Sequence, residues 1–332
     1  MIQQIRKPCS GRSTSLHQVV LTRFALYGLL LVIVALFLAC TKVEDEPSSN
    51  VSAAREATKD IQNLKVSMKK IEPFFKPMGT PAAYDWLASH NEPGQTFDEY
   101  LNSDPTKPTN ERPKIYVLPL GTFTPQQKKI IEVTAGYLEA FYDLPVQQMP
   151  AQTLKSPASA KDRRYNEFLR SNQIRTGYIN EKILMPILPS DAAALIGLTN
   201  VDLYPDESMS YVFGQASLND RVGVWSLFRL EPGADQQTIL RRMLKIAAHE
   251  TGHMFSMKHC IKYECVMSGT NHIVETDSRP IDACPECMAK ICWLSDVDPA
   301  ARYDRLAAFC RKNGLNKEAD EFARKSTAVN KN

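Results

Sequence analysis

Residues 249–287 read HETGHMFSMKHCIKYECVMSGTNHIVETDSRPIDACPEC, and this stretch determines how the rest of the chain is interpreted. His249 and His253 are four residues apart, so on an α-helix both imidazoles project from one face and can share a metal ion. Glu250 points about 100° around the same helix, which makes it a poor third ligand on that face. We expect Glu250 to reach a metal-bound water and to act as a general base.

A catalytic zinc ion usually has three protein ligands and one open position, and His259 is the candidate for the third ligand. It follows His253 by six residues and would face away from the metal on a continuous helix. The helix must therefore end between Phe255 and Lys258, where the chain turns back. Such a turn usually has glycine in the left-handed conformation, but here the position holds Ser256, at a cost of roughly 1 kcal/mol.

Two pairs of cysteines follow, Cys260 with Cys265 and Cys284 with Cys287. Two such pairs joined by a loop are typical of a tetrahedral thiolate zinc site. Because Cys260 comes directly after His259, this site would hold the loop that carries the third histidine. The alternative is a pair of disulfide bonds, which an exported protein would favour.

The pattern H-E-x-x-H-x-x-S-x-x-H-C-x4-C-x-M, followed by C-x-x-C, resembles the archaemetzincin family of zinc metallopeptidases, within the metzincin clan. The resemblance covers roughly residues 111–295 and departs from the family motif at Ser256, where the family has glycine. It implies hydrolysis of peptide bonds with two zinc ions as cofactors. By this resemblance, the catalytic zinc ligands are His249, His253 and His259, the general base is Glu250, the Met-turn residue is Met267, and the structural zinc ligands are Cys260, Cys265, Cys284 and Cys287.

A second class of function remains open from the residues alone. The chain could be a catalytically inactive, zinc-stabilised binding module on the cell surface, and Ser256 is the main support for this alternative. Retention of Glu250 argues against it, because a purely structural metal site does not need a base.

The first 39 residues indicate a targeting segment rather than part of the fold. They contain four basic residues and no acidic residue, and an apolar run occupies residues 24–39. That run is shorter than the roughly 20 residues needed to span a bilayer, so it suits a signal peptide. The polar sequence that starts after Cys40 is typical of a lipoprotein whose first mature residue is a lipidated cysteine. The alternative is an uncleaved anchor helix, and in both cases the protein is exported and membrane-anchored.

The chain as a whole is divided into four predicted regions, and the resemblance implies an α/β (α+β) fold of the metzincin-like zincin type. The regions are a signal peptide (1–39), a lipidated tether with a helical and proline-rich segment (40–112), a catalytic domain (113–298) and C-terminal helices (299–332). We expect a twisted mixed β-sheet, an active-site helix and a small C-terminal subdomain stabilised by zinc. Strands are predicted at 115–118, 146–149 and 198–204, with helical and loop material between the last two until about 194. Helices are predicted at 51–70, after Thr124, after Asp235, and at 299–311 and 317–325.

Residues 211–218 and 223–230 predict an antiparallel strand pair. By resemblance, the first is a candidate edge strand that binds extended substrate above the active-site helix. An ordinary sheet strand is the equally open alternative. Cys292 and Cys310 remain free or paired with each other, and His272 is a ligand candidate without an assigned site.

The expected partners are a peptide or protein substrate and, through the N-terminal lipid anchor, a membrane. The formal net charge is only +3, and the sequence has no basic stripe with interleaved aromatic residues. We therefore expect no nucleic-acid partner.

Overall fold

The computed structural model describes residues 49–217 and 219–331. The strands are β1 (Lys114–Leu120), β2 (Val146–Gln148), β3 (Arg163–Asn166), β4 (Ser171–Arg175), β5 (Ala192–Thr199), β6 (Asp202–Tyr204), β7 (Gly214–Ala216) and β8 (Val222–Ser226). The helices are α1 (Ser49–Ile71), α2 (Trp86–Ser89), α3 (Phe97–Leu101), α4 (Pro125–Tyr142), α5 (Thr176–Ile179), α6 (Gln236–Met254), α7 (Ile273–Ser278), α8 (Pro285–Ser295), α9 (Pro299–Lys312) and α10 (Asn316–Asn330).

A five-stranded mixed sheet with the order β2-β1-β5-β8-β7 forms the centre of the fold. Its first four strands are parallel, whereas β7 pairs antiparallel with β8 and forms one edge. Strands β5 and β8 are buried along their whole length, as expected for parallel strands covered on both faces. In β1, Ile115 and Val117 contact the core that includes α4 and α6, while Leu118 and Leu120 face a second core.

Two long helices cover the face of the sheet that carries the metal-binding motif. Thr124 begins α4 with a capping box that includes Gln127, as the Thr-Pro pair predicts. The side chain of Asp235 accepts a hydrogen bond from the backbone N–H of Thr238 and caps α6. Helix α6 packs against α4, β7 and β8, which places its C-terminal half at the edge of the sheet.

The segment between α1 and β1 is held on the loop that follows α6. Met78 donates a backbone hydrogen bond to Lys262, and Glu264 donates one to Lys76. Tyr100 of α3 is buried and donates its hydroxyl hydrogen to the carbonyl of Phe255 at 2.8 Å. This proline-rich segment is mostly irregular, but it contains the two short helices α2 and α3.

The predicted fold class is confirmed, and two predictions about strands are wrong. The single strand predicted at 198–204 is two strands, β5 and β6, and the region before it contains the β3–β4 hairpin rather than only helix and loop. The hairpin was missed because its residues are mostly polar, and they are paired by contacts such as Arg164 with Gln173. The predicted pair at 211–218 and 223–230 forms, although β7 and β8 are shorter.

In the part of the chain that the structure describes, no helix has both the length and the apolar character needed to cross a membrane. The apolar run at 24–39 and Cys40 lie outside the described residues.

Candidate active site

Helix α6 presents His249, Glu250 and His253, and it ends at Met254 in the turn that the sequence requires. Ser256 adopts the left-handed conformation with φ 63°. Its N–H donates to the carbonyl of His253 at 2.9 Å, and the N–H of Met257 donates to Gly252 at 3.0 Å. These two bonds are those of a Schellman motif, formed here with serine in the usual glycine position. The turn reverses the chain and brings His259 back to the other two histidines.

The serine in this turn is held by the segment that precedes β1. Its Oγ accepts a hydrogen bond from the backbone N–H of Thr106 at 3.0 Å. Its carbonyl is 3.4 Å from Nε2 of Gln95. A glycine at this position could not make the first of these contacts.

The three imidazoles converge, with ring centroids 4.6–5.1 Å apart. Nδ1 of His249 lies 2.9 Å from the carbonyl of Val266, and Nδ1 of His253 lies 2.7 Å from that of Met257. A carbonyl oxygen can only accept a hydrogen bond, so both Nδ1 atoms carry the proton when the rings are neutral. Both Nε2 atoms are then unprotonated and available to a metal.

This arrangement fits a zinc ion. The Nε2 atoms of His249 and His253 are 3.0 Å apart, and two unprotonated nitrogens at this distance repel each other unless a cation lies between them. Zn–N bonds of 2.0–2.1 Å in a tetrahedron would separate ligand nitrogens by about 3.3 Å. Burial holds the pKa of His249 well below its usual value and lowers that of His253 to about 4, so both are neutral at physiological pH.

His259 completes the set with a carboxylate partner. Its Nδ1 lies 2.7 Å from a carboxylate oxygen of Glu92, which comes from the segment before β1. A carboxylate that accepts from the non-ligating nitrogen orients the ring and increases the basicity of the other nitrogen. Trp86 from the same segment packs edge-on against His259, with ring centroids 5.3 Å apart.

Glu250 lies between α6 and the edge strand β7. Burial raises the pKa of its carboxyl group to about 8, and a backbone hydrogen bond with Ala216 acts in the opposite direction. Glycine at position 214 allows the Glu250 side chain to lie close to the backbone of β7. A Cβ on Gly214 would lie 3.2 Å from Cγ of Glu250 and 2.7 Å from Cβ of Trp225. The carboxyl group of Glu250 lines the same cleft as the three histidines and β7.

Met267 packs directly against α6 between the two helical histidines. A Cβ on Gly252 would lie 2.6 Å from Sδ of Met267, so only glycine permits this contact. The carbonyl of the preceding Val266 accepts from His249, which ties the predicted methionine turn to the candidate ligand set.

The four paired cysteines form a second cluster. All four are buried, and their sulfurs lie within 4.8 Å of one another. Sγ of Cys260 is 3.5 Å from Sγ of Cys284, which is far longer than the roughly 2.05 Å of a disulfide bond. Zn–S bonds of about 2.3 Å in a tetrahedron would separate the sulfurs by about 3.8 Å, so the cluster fits zinc.

Backbone amides also point at this cluster. Sγ of Cys265 accepts from the N–H groups of Met267 at 3.4 Å and Cys284 at 3.2 Å. Hydrogen bonds from the other cysteines hold the pKa of Cys260 far below its usual value, while burial raises the pKa values of Cys265 and Cys284. A bound cation would favour deprotonation of all four thiols.

The remaining candidates lie elsewhere. His272 is the N-cap of α7, where its Nδ1 accepts from the N–H of Glu275, and it joins neither cluster. Cys292 and Cys310 are free and buried, and burial raises both pKa values to about 12. These two cysteines are inert core residues.

A cleft of about 320 Å³ opens over the three histidines. It is bounded by residues 211–216, by α6, by the stretch from Val266 to Arg279 and by Trp86. Sequence reasoning missed Glu92 and Trp86, because they lie over 150 residues before the histidine motif in a region without periodicity. A glutamate in a proline-rich segment gives no signal that it will contact a metal ligand.

The amino-acid sequence of this chain is similar to those of several known proteins. The family described as Peptidase family M54 matches residues 175–292. Archaemetzincin-2 from Homo sapiens is 31% identical over 270 residues, which are 70% of this chain and 73% of that protein. Archaemetzincin from Archaeoglobus fulgidus is 32% identical over 179 residues, which are 54% of this chain and 98% of that protein.

Two solved structures also match. The malonate complex of Archaeoglobus fulgidus archaemetzincin is 34% identical, covers 53% of this chain and 99% of that one, and superposes with a TM-score of 0.43. The Methanopyrus kandleri archaemetzincin structure is 24% identical, covers 57% of this chain and 99% of that one, and has a TM-score of 0.47.

Proposed function

Because this chain belongs to the archaemetzincin family of zinc metallopeptidases and acts on peptide or protein substrates, we propose that hydrolysis takes place at the three-histidine site of α6. The observation that supports this most directly is the pair of facing Nε2 atoms of His249 and His253, 3.0 Å apart, with Glu250 beside them. His259 supplies the third nitrogen.

Each residue has a distinct role in the proposed reaction. A zinc ion held by the three histidines would polarise the scissile carbonyl and lower the pKa of a coordinated water to about 7. Glu250 accepts the proton of the attacking water and then delivers it to the leaving amine. Met267 supports the ligands from below, since it packs against α6 at Gly252.

We propose that substrate lies along the outer edge of β7. In the antiparallel pairing with β8, residues 213, 215 and 217 exchange backbone hydrogen bonds with that strand. The backbone groups of Gly214 and Ala216 therefore point away from β8, toward the cleft. An extended peptide could pair with this edge and place its scissile bond near Glu250.

The left-handed turn at Ser256 is compatible with a catalytic metal site, so this serine does not favour a non-catalytic binding module. The turn that it forms still brings His259 to the other histidines, so that candidate ligand atoms of the three rings lie within 4.8 Å of one another. The four cysteines are proposed to hold a second, structural zinc.

A Glu250→Gln variant tests the assignment of the base. We expect it to bind zinc and to unfold like the wild type but to cleave peptides at least 100-fold more slowly, because general-base catalysis typically contributes 10²–10⁴-fold. Glu139→Gln on the exposed face of α4 is the control and should retain full activity. Equal cleavage by Glu250→Gln and the wild type would overturn the assignment.

We also propose that the protein is exported and is anchored in a membrane through lipid on Cys40. The supporting feature is the basic segment followed by the apolar run at 24–39. Mass spectrometry of the mature N-terminus should find an acylated cysteine, and Cys40→Ser should remove it. An unmodified N-terminus that retains residues 1–39 would contradict lipidation.

A further inference from the structure

Two cationic side chains, those of Lys245 and Arg279, line the cleft on the N-terminal side of the α6 histidines. Lys245 precedes His249 by four residues, so it occupies the same helix face about 6 Å away along the axis. Arg279 follows α7 and lines the same part of the cleft. Around them the cleft has only uncharged polar groups, from Ser268, Thr270, Asn271 and Thr276.

Lys245 is buried, and its ammonium forms hydrogen bonds rather than an ion pair within the described residues. Its Nζ donates to the carbonyls of Thr276 at 2.9 Å and Asp277 at 3.0 Å. Among the described residues, no ion pair forms at this ammonium, and two bonds leave one of its three donors free. Burial lowers the pKa of Lys245 to about 8, and the negative charge of Asp277 acts in the opposite direction.

Arg279 is only partly neutralised. Its Nη2 lies 3.3 Å from Glu275 and its Nη1 lies 3.9 Å from Glu264. Glu275 also accepts from the backbone N–H groups of Trp86 and Asn271, so its charge is shared among several donors. Nε of Arg279 is buried and has no hydrogen-bond partner.

The only carboxylate among the residues that line the cleft is Glu250, at the other end of this region. A buried ammonium and a half-buried guanidinium, each with a free donor and both beside the proposed reaction site, are suited to an incoming carboxylate. One residue of an extended peptide spans about 3.3 Å, so a carboxylate borne next to the scissile bond can reach Lys245.

We propose that Lys245 and Arg279 form a carboxylate pocket that selects substrates with a carboxylate on a residue flanking the scissile bond. The carboxylate is that of an aspartate or glutamate side chain, or the free C-terminus of a short peptide. This inference rests on the proposed peptidase function of the cleft. It assigns a specificity role to two residues outside the metal-binding motif.

The test uses four matched peptides that carry glutamate or glutamine at a flanking position and end in a free or an amidated C-terminus. A second set of four peptides carries the varied residue on the other side of the scissile bond. With the zinc-loaded protein, we expect kcat/KM for peptides with the selected carboxylate to exceed that of the matched amide by about 10-fold or more. If kcat/KM depends on the flanking side chain, the selected carboxylate is that of an acidic residue. If kcat/KM depends on the terminus, the selected carboxylate is the C-terminal one.

Lys245→Met and Arg279→Gln should each reduce this preference toward unity. A purely structural role of Lys245, as a donor to the end of α7, would lower kcat/KM for all four peptides by the same factor and leave the preference unchanged. Lys128→Met, which removes an exposed lysine of α4, is the control and should leave both rate and preference unaltered.

Calorimetric binding of the same peptides to the zinc-loaded Glu250→Gln variant separates this inference from the proposed function. A carboxylate preference in binding supports the pocket even if no peptide is cleaved. Affinities that agree within about 2-fold for all four peptides, or a preference that survives in both Lys245→Met and Arg279→Gln, would overturn it.

Discussion

His259 differs from the other two histidines in the partner of its Nδ1 atom. That atom faces the Glu92 carboxylate at 2.7 Å, whereas His249 and His253 face backbone carbonyls. A carboxylate holds the ring more strongly than a neutral carbonyl, because the hydrogen bond is charge-assisted. The carboxylate comes from a segment outside the matched family region, so the geometry of the candidate ligand set depends on a distant part of the chain.

Glu92→Gln should weaken zinc binding at the histidine site by about 10–100-fold, which is typical for the loss of such a partner. Competition with a chromogenic chelator measures this affinity. Glu111→Gln is the matched control, because Glu111 is an exposed glutamate of the same segment. Unchanged affinity in Glu92→Gln would mean that the contact does not support the metal.

At the residue scale, the ligand candidates follow from spacing, since helical geometry places residues four apart on one face. Glu92 could not be predicted in this way, because it is 167 residues from His259. Gly252 and Gly214 could not be recognised either. Their roles depend on which side chains pack against them, and a single sequence does not contain that information.

The turn after α6 is the element on which the position of His259 depends. Serine in the left-handed conformation costs roughly 1 kcal/mol relative to glycine, and the hydrogen bond from Thr106 to its Oγ contributes about as much. These two effects oppose each other, so the serine is tolerated here.

Ser256→Gly should therefore change the free energy of unfolding little. The substitution removes both the backbone strain of the left-handed serine and the hydrogen bond from Thr106, and these two losses offset each other. Ser256→Ala keeps the strain but loses the bond, and we expect it to be less stable than Ser256→Gly by about 1 kcal/mol or more. Urea unfolding of the zinc-loaded variants measures both. Equal stability of the alanine and glycine variants would show that the turn carries no strain.

Predictions of whole elements succeeded where the local signals agree. The capping residues Thr124 and Asp235 each predict the start of a helix, and both helices, α4 and α6, were confirmed. The prediction failed in β5, whose alanine-rich beginning has no strand signal of its own. Its strand conformation comes from parallel pairing with β1 and β8, which is a tertiary effect.

At the scale of the whole molecule, the cysteine cluster joins the loop after His259 to the start of α8. All four cysteines belong to the main hydrophobic core or lie against it, so this cluster connects the site to the C-terminal helices. A structural zinc ion can contribute on the order of 10 kcal/mol to folding.

Cys284→Ala should consequently lower the thermal unfolding midpoint far more than His259→Ala does, because only the first removes a ligand of the proposed structural ion. Differential scanning calorimetry measures both midpoints. Cys292→Ala is the control for loss of a buried thiol, since Cys292 lies outside the cluster. Similar midpoints for Cys284→Ala and Cys292→Ala would contradict a structural zinc at this cluster.

The most direct test of the account is the zinc content of the purified chain, measured by elemental analysis without added metal. We expect close to two zinc ions per chain, with one lost in His259→Ala and the other lost in Cys284→Ala. About one zinc per chain, lost in Cys284→Ala but unaffected by His259→Ala, would contradict the account, because the histidine site would then hold no metal.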